Sequence, residues 1–284
     1  MTIGAKNFNG YCEALQKSYP GFEFGANMDT WAYLDNVGKR GQPPPDPLTF
    51  PEFVAFAKAG GMLMDEATMD APNYRHYMNR FEDALWAMCQ KREVCRRFGG
   101  IYQLFSPYRD SMGYFAHDDI YWTVMILASG SYYVGSFSPL PYSEDSAGQF
   151  ITRFGEYLRS KGLKPLPEAA DKILVDATGN VWYADSAVWE DLGNRRRYVV
   201  PLINAPVAER MRRNKTGEFP PPIDQPFPIE VTVPAGYAKA SSWMLTPEPR
   251  IAAEPLAVTL QGGRARVKFP ALQLFRVLVM EFEK

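Results

Sequence analysis

The chain has 284 residues, 22% of them charged, and its formal net charge at pH 7 is −1. This length accommodates a large core and roughly two domains, since single domains mostly contain about 100–200 residues. The near-zero net charge gives no electrostatic reason to expect binding to nucleic acid or to an anionic membrane, so neither is predicted as a partner.

Basic residues are clustered at four places along the chain. These are Lys91-Arg92, Arg96-Arg97, Arg195-Arg196-Arg197 and the segment from Arg210 to Lys215. None is interleaved with aromatic residues, as a groove for single-stranded nucleic acid would be. We interpret all four as helix ends and solvated loops.

The sequence contains no signature of a metal site or a bound cofactor. Cys12, Cys89 and Cys95 lack CxxC spacing, so we expect ordinary reduced core residues and no zinc site. His76 and His117 are far apart, which disfavours a histidine-based metal site. There is no Gly-x-Ser-x-Gly elbow, no P-loop and no dinucleotide-binding fingerprint. We therefore predict no metal and no cofactor.

The N-terminus has no basic segment followed by an apolar one, so no secretion signal is visible and the compartment stays open. The largely apolar stretch at 120–137 is interrupted by Ser129-Gly130-Ser131. It falls short of the roughly 20 apolar residues that a membrane span requires.

Strands and helices alternate in the first part of the chain. Between residue 22 and about residue 160, the hydrophobic pattern predicts a strand followed by a helix four times. Such alternation is typical of a parallel sheet with crossover helices. Four units correspond to half of a (β/α)8 TIM barrel, which usually needs about 250 residues. The predicted strands are 22–27, the apolar run that follows Gly60-Gly61 and ends at Asp65, 101–105 and 132–137. The predicted helices are 49–58, 73–97, 120–127 and 143–159.

The pattern changes after Leu163-Lys164-Pro165-Leu166-Pro167, and no helical period continues beyond it. Short apolar runs separated by Gly, Pro and Asn turns follow, as in an antiparallel β-sandwich of roughly 100 residues. We therefore predict two domains, a partial barrel at 1–168 and a β-sandwich at 169–284. The predicted strands of the second domain are 172–175, 181–183, 197–203, 229–233, 257–260, 265–269 and 275–282.

The stretch Gly60 to Ala67 is the first candidate for a functional site. Its apolar run, Met62-Leu63-Met64, ends in Asp65 and Glu66. Charged residues at the carboxyl end of a buried parallel strand are where such proteins bind ligands and perform chemistry. The alternative is that both acids are solvated or cap the next helix.

Several short motifs carry a resemblance to a known family. They are Leu63-Met64-Asp65-Glu66, Leu127-Ala128-Ser129-Gly130, Tyr198 to Asn204, Leu245-Thr246-Pro247-Glu248 and the segment from Val267 to Val279. Together they resemble the dextranase and cycloisomaltooligosaccharide glucanotransferase family, from about residue 20 onwards.

This resemblance implies a retaining glycosidase that acts on an α-glucan or similar oligosaccharide. It assigns the acid/base role to Glu66. The family's aspartate nucleophile would fall at or before Met1, so the resemblance implies a chain that begins inside a longer enzyme.

Glycoside hydrolysis requires two carboxyl groups, about 5–5.5 Å apart for retention and about 6.5–9.5 Å for inversion. One must stay protonated, which an apolar or like-charged environment favours, and Glu66 beside Asp65 has both influences. Side chains alternate along a strand, so Asp65 and Glu66 would point to opposite sides and would not form the pair themselves. Asp29 is the best partner within the chain, with binding or helix capping as its alternatives.

Other side chains at the same predicted edge are candidates for substrate binding. Asn27 could hydrogen-bond a hydroxyl, and Trp31 could stack on a sugar ring or belong to the core. The full set of predicted binding residues is Asn27, Asp29, Trp31, Asp65, Tyr108, Arg109 and Asp110.

Two rival interpretations stay open. A catalytically silent carbohydrate-binding or scaffold module would complete its barrel by pairing with another chain, because an open half-barrel exposes two sheet edges. Alternatively, residues 1–165 form a complete smaller α/β layer and the family resemblance is accidental.

Overall fold

The structure is a computed structural model, and it describes eleven ranges of the chain. These are residues 5–20, 25–27, 62–65, 81–97, 101–105, 124, 127–130, 132–134, 144–204, 221–247 and 250–284. The chain divides into two compact units, one of residues 1–114 with 129–138 and one of residues 115–128 with 139–284. Of the three sheets in the described ranges, one is parallel and two are antiparallel.

The first unit contains a parallel sheet of four short strands. They are β1 (Gly25–Asn27), β2 (Met62–Asp65), β3 (Ile101–Phe105) and β4 (Tyr132–Val134). Their order in the sheet is β1-β2-β3-β4, so consecutive strands lie side by side. This agrees with the predicted alternation of strand and helix, because parallel neighbours need a crossover connection between them.

Two helices are described in this unit, α1 (Ala5–Ser18) and α2 (Phe81–Arg97). In α2, Leu85, Met88 and Cys89 are at most 3% exposed, and their spacing of three and four residues places them on one face of the helix. Helix α2 connects β2 to β3, as predicted. The predicted helix at 49–58 and the first part of the predicted helix at 73–97 lie outside the described ranges.

The second unit contains a large antiparallel sheet of seven strands. They are β5 (Lys164–Pro165), β7 (Val181–Trp182), β8 (Val188–Asp191), β9 (Arg195–Asn204), β11 (Lys239–Thr246), β12 (Ala252–Leu256) and β15 (Phe275–Glu283). Their order is β12-β11-β15-β9-β8-β5, with β7 also paired to β9. The two long central strands, β9 and β15, pair along nine residues from Phe275↔Ile203 to Glu283↔Arg195.

A smaller antiparallel sheet packs on one face of the large sheet. Its strands are β6 (Ile173–Val175), β10 (Phe227–Thr232), β13 (Val258–Gln261) and β14 (Arg264–Phe269). Their order is β13-β14-β10-β6. The core between the two sheets includes Ile229, Val267 and Phe269 from the small sheet and Val200 and Leu278 from the large one, all at most 1% exposed.

Helix α3 (Glu144–Leu158) covers the other face of the large sheet. The rings of Phe150 and Phe275 lie 6.0 Å apart edge to face, and those of Tyr157 and Trp243 lie 5.9 Å apart. The large sheet is therefore buried on both faces. Its central strands accordingly have near-continuous apolar sequences instead of strict alternation.

Two sequence-based expectations for the second unit were wrong. A four-residue helix, α4 (Ala169–Lys172), follows Pro167, where no helix was predicted. Arg195, Arg196 and Arg197 lie in the central strand β9 and not at a helix end or in a loop. The basic pairs at 91–92 and 96–97 do lie toward the end of helix α2, as predicted.

Candidate functional site

The candidate site lies at the carboxyl edge of the parallel sheet. Asn27 is the last residue of β1, and Asp65 is the last residue of β2. In the register of the sheet, Asn27 pairs with Met64 and Asp65 pairs with Leu104. Two polar residues of the predicted site therefore end neighbouring strands at the same edge, offset by one residue.

Glu66 is the next residue after β2, but it lies outside the described ranges. The same is true of the other predicted site residues that follow strands β1 and β3. These are Asp29, Trp31, Tyr108, Arg109 and Asp110. Their assignment to the site stays a prediction.

An arginine of helix α2 fixes the chain just before β4. Arg92 Nη1 donates a hydrogen bond to the carbonyl oxygen of Ser129, which is fully buried at the end of a helical turn. A cation at the carboxyl end of a helix is favourable because the exposed carbonyls there carry partial negative charge. This contact ties α2 to the segment that leads into β4.

The second unit holds a cluster of buried charges that the sequence did not indicate. Arg197 on β9 is 11% exposed, and its Nε donates to Glu281 Oε1 at 2.7 Å. Its Nη1 lies 3.6 Å from Glu190 Oε2 on β8. Ser160 Oγ donates to the other carboxylate oxygen of Glu190. Arg195 Nη1 reaches Glu281 Oε2 at 2.9 Å from the solvent side.

Aromatic packing closes this cluster on the side of helix α3. The guanidinium of Arg197 lies 4.6 Å from the ring centroid of Tyr157. Burial raises the pKa of the Tyr157 hydroxyl above its ordinary value of 10.0, the neighbouring Glu156 raises it further, and Arg197 opposes both. Both carboxylates are paired with cations, so neither has the free position of a proton donor for a glycosidic oxygen. We interpret the cluster as a structural connection between α3 and the large sheet.

The sequence contains one signal for this cluster, which is that Arg197 and Glu281 lie in long and largely apolar strands. A charged residue within a nearly continuous apolar run, such as Glu281 in Val277 to Phe282, needs a buried partner. The partner itself could not be chosen from the sequence, because it depends on strand pairing.

In the described part of the chain, no group of three His, Cys, Asp or Glu side chains is arranged to hold a metal ion. None of the described helices is long and apolar enough to cross a bilayer.

Comparisons with known proteins give structural neighbours only. No family model matches the sequence, and no curated protein matches it. A cycloisomaltooligosaccharide glucanotransferase from Paenibacillus sp., complexed with cycloisomaltoheptaose, is 15% identical; the match covers 55% of this chain and 26% of that protein, with a TM-score of 0.45.

Two further enzymes match nearly the whole chain. An alpha-amylase from H. orenii is 11% identical over 98% of this chain and 64% of its own, with a TM-score of 0.37. The xylanase Xyn30A of glycoside hydrolase family 30 from Clostridium acetobutylicum is 11% identical over 97% of this chain and 92% of its own, with a TM-score of 0.26. All three neighbours are carbohydrate-active enzymes by name. The chain spans about a quarter of the first and less than two thirds of the second.

Proposed function

We propose that this chain is part of a retaining glycoside hydrolase that acts on an α-linked glucan or a similar oligosaccharide. In this proposal residues 1–168 are half of a (β/α)8 barrel and residues 169–284 are a β-sandwich. The observation that carries it is the register of the parallel sheet, in which Asn27 and Asp65 end neighbouring strands at one edge. Glu66 directly follows that edge in the chain.

The role assigned to Glu66 is to protonate the leaving glycosidic oxygen and later to activate water. Asp65 and Asn27, at the ends of their strands, are assigned to hydrogen bonds with sugar hydroxyls. Asp29, Trp31, Tyr108, Arg109 and Asp110 are assigned to substrate contacts in the loops that follow β1 and β3. The two-carboxylate mechanism also requires a nucleophile, and no residue of the sequence is assigned that role.

The decisive experiment compares two substrates with the protein expressed from its full reading frame. Glu66→Gln should lower kcat on dextran by roughly 10²–10⁴-fold, the usual contribution of a positioned general acid. On an aryl α-glucoside with a good leaving group, the loss in the first step should be much smaller, because that departure needs no proton. Asp65→Asn is the matched control, since it alters the neighbouring carboxylate and should affect both substrates alike.

Unchanged activity of Glu66→Gln on dextran would refute the assignment. An equal loss on both substrates would also count against it, since a purely structural role does not distinguish leaving groups.

A second candidate is a carbohydrate-binding or scaffold module without catalysis of its own, which pairs with another chain. The observation that favours it is that β1 and β4 lie at the two ends of the parallel sheet. Each has one strand neighbour among the described strands. Unpaired strand edges favour association with a further strand. Sedimentation velocity at several concentrations tests this candidate, and a monomer at all concentrations that hydrolyses dextran would exclude it.

A further inference from the structure

One arginine of the large sheet is enclosed by aromatic rings near the start of β9. The guanidinium carbon of Arg196 lies 4.7 Å from the ring centroid of Trp189 and 5.3 Å from that of Tyr237. Trp189 is on the neighbouring strand β8, and Tyr237 precedes β11. Both rings are partly buried, so the arginine is fixed in position by packing on two sides.

Two lysines extend the positive charge around the same pair of rings. Lys164 Nζ lies 5.5 Å from the centroid of Trp189, and Lys284 Nζ lies 5.7 Å from that of Tyr237. Both lysines are exposed. Three cationic side chains from separate parts of the chain thus lie around two aromatic rings. Lys164 is in β5, Arg196 is at the start of β9 and Lys284 follows β15.

Within the described ranges, no acidic side chain forms an ion pair with Lys164, Arg196 or Lys284. Asp191 is the register partner of Arg196, but its Oδ1 accepts a hydrogen bond from the backbone N–H of Gly193 at 2.9 Å in the turn between β8 and β9.

The arginine also has unused hydrogen-bonding capacity. Arg196 Nε is buried and has no hydrogen-bond partner among the described residues. A buried donor without a partner is costly, because it has lost its water. Arg196 also interacts with the hydroxyl of Tyr198. Burial raises the pKa of this hydroxyl, and the positive charge of Arg196 offsets part of that rise.

We propose that Arg196, Lys164 and Lys284 form a binding site for an oxyanion group, namely a carboxylate, sulfate or phosphate. A guanidinium packed against two rings is fixed in position, its terminal Nη groups can donate paired hydrogen bonds to two oxygens, and the lysines add charge without restricting geometry. A neutral glucan carries no such group, so this site is separate from the glycosidase proposal and does not depend on it.

The test is calorimetric titration of the full chain at low ionic strength with four probes. Inorganic sulfate, inorganic phosphate and trigalacturonate carry the three oxyanions, and cellotriose, a β-linked sugar outside the proposed α-glucan substrates, is the neutral control. We expect saturable binding of at least one anion, with Kd on the order of 1 mM for a small ion, and none of cellotriose. Binding of trigalacturonate alone would identify an acidic sugar as the source of the oxyanion.

Three variants separate this site from general attraction to a basic surface. Lys164→Gln, an exposed position, should weaken binding by about threefold or more, and Arg196→Lys by about tenfold, because it keeps the charge but loses the planar donor edge. Lys268→Gln removes the same charge from an exposed position on β14 and should leave affinity unchanged.

Three results would overturn the proposal. They are the absence of saturable anion binding, equal binding of cellotriose, and an equal effect of Lys164→Gln and Lys268→Gln. Because Lys164 is exposed, its variant stays informative even if Arg196→Lys destabilises the fold.

Discussion

The carboxylate of Glu281 and the guanidinium of Arg197 face each other across the two central strands of the large sheet. They are register partners on β15 and β9, their closest atoms are 2.7 Å apart, and their side chains are 9% and 11% exposed. Glu190 and Arg195 complete the pairing, so the cluster contains two acids and two bases. Its charges balance only while every member is present.

Removing the buried arginine should strongly destabilise the protein. We expect Arg197→Met to lower the free energy of unfolding by about 3 kcal/mol, because Glu190 and Glu281 would lose their shared buried cation. Arg266→Met is the matched control: Arg266 is 60% exposed and pairs with Glu230, so its loss should be below about 1 kcal/mol. Urea unfolding of both variants measures the difference, and equal losses would contradict a buried network.

The turn that follows helix α3 has no room for a side chain at Gly162. A Cβ placed there would clash with Glu190 Oε1, an oxygen that is held in position by Ser160. We expect Gly162→Ala to cost about 1–3 kcal/mol of stability. Adding Ser160→Ala should reduce this cost, since Glu190 would then be freer to move.

The control for that substitution is a second glycine of the same region. Gly155 lies in helix α3 directly after Phe154, where the backbone is kinked (φ −118°, ψ 19°), and a Cβ added at Gly155 would meet no atom of a neighbouring element within 4 Å. Gly155→Ala should therefore stabilise the protein by about 0.5–1 kcal/mol, because alanine loses less backbone entropy in a helix. Thermal unfolding should show a lower melting temperature for Gly162→Ala and a higher one for Gly155→Ala. Shifts of the same sign would show that the contact with Glu190 does not determine the effect at Gly162.

Asn204 connects three parts of the second unit. It is 1% exposed, and its Nδ2 donates to the carbonyls of Pro221 and Gln273 at 3.0 and 2.9 Å. We expect Asn204→Ala to cost about 2 kcal/mol, because two buried carbonyls lose their donor. The exposed Asn194→Ala should change stability by less than about 0.5 kcal/mol. A loss for Asn204→Ala as small as that of the control, measured by urea unfolding, would exclude this connecting role.

Three tyrosines, one buried and two partly buried, should make the protein sensitive to alkaline pH. Burial raises the pKa of Tyr157, Tyr183 and Tyr198 above the ordinary value of 10.0. Their neutral forms are therefore favoured in the folded state. Their contribution to stability is present below about pH 10, the pKa in the unfolded chain, and is lost as pH rises through the higher folded pKa.

Tyr183→Phe isolates one of these contributions. The hydroxyl of Tyr183 donates to the carbonyl of Ile173 at 2.9 Å, so the variant should be less stable at about pH 8. Between about pH 9 and pH 11, however, its stability should fall less steeply than that of the original protein. Urea unfolding midpoints of both proteins, measured across this pH range, test whether the variant has the shallower decline. Both proteins contain the same lysines, so lysine titration contributes equally to both curves. Parallel curves would argue against a raised pKa.

Hydrophobic pattern predicted the strands whose sequences are predominantly apolar. The predicted strand at 101–105 matches β3, and those at 197–203 and 275–282 lie within β9 and β15. These strands carry a local signal because their side chains are buried wherever the strands pair.

Four strands of the large sheet were not predicted, and their sequences explain why. β11 (Lys239–Thr246) begins with Lys-Ala-Ser-Ser, and β12 (Ala252–Leu256) contains Pro255. Neither has the composition typical of a strand. β11 is nevertheless held between β12 and β15, so tertiary pairing overrides its weak local preference. β5 and β8 are only two and four residues long.

By itself, the sequence determined the change from alternating strands and helices to antiparallel strands, because the period of side-chain burial is a local property of the chain. It also placed Asn27 and Asp65 at strand ends. Only the tertiary structure decided that Arg197 faces Glu281 and Glu190, and that Arg196 lies between Trp189 and Tyr237. Which charges meet depends on strand register and sheet order, and these are set by contacts between residues far apart in the sequence.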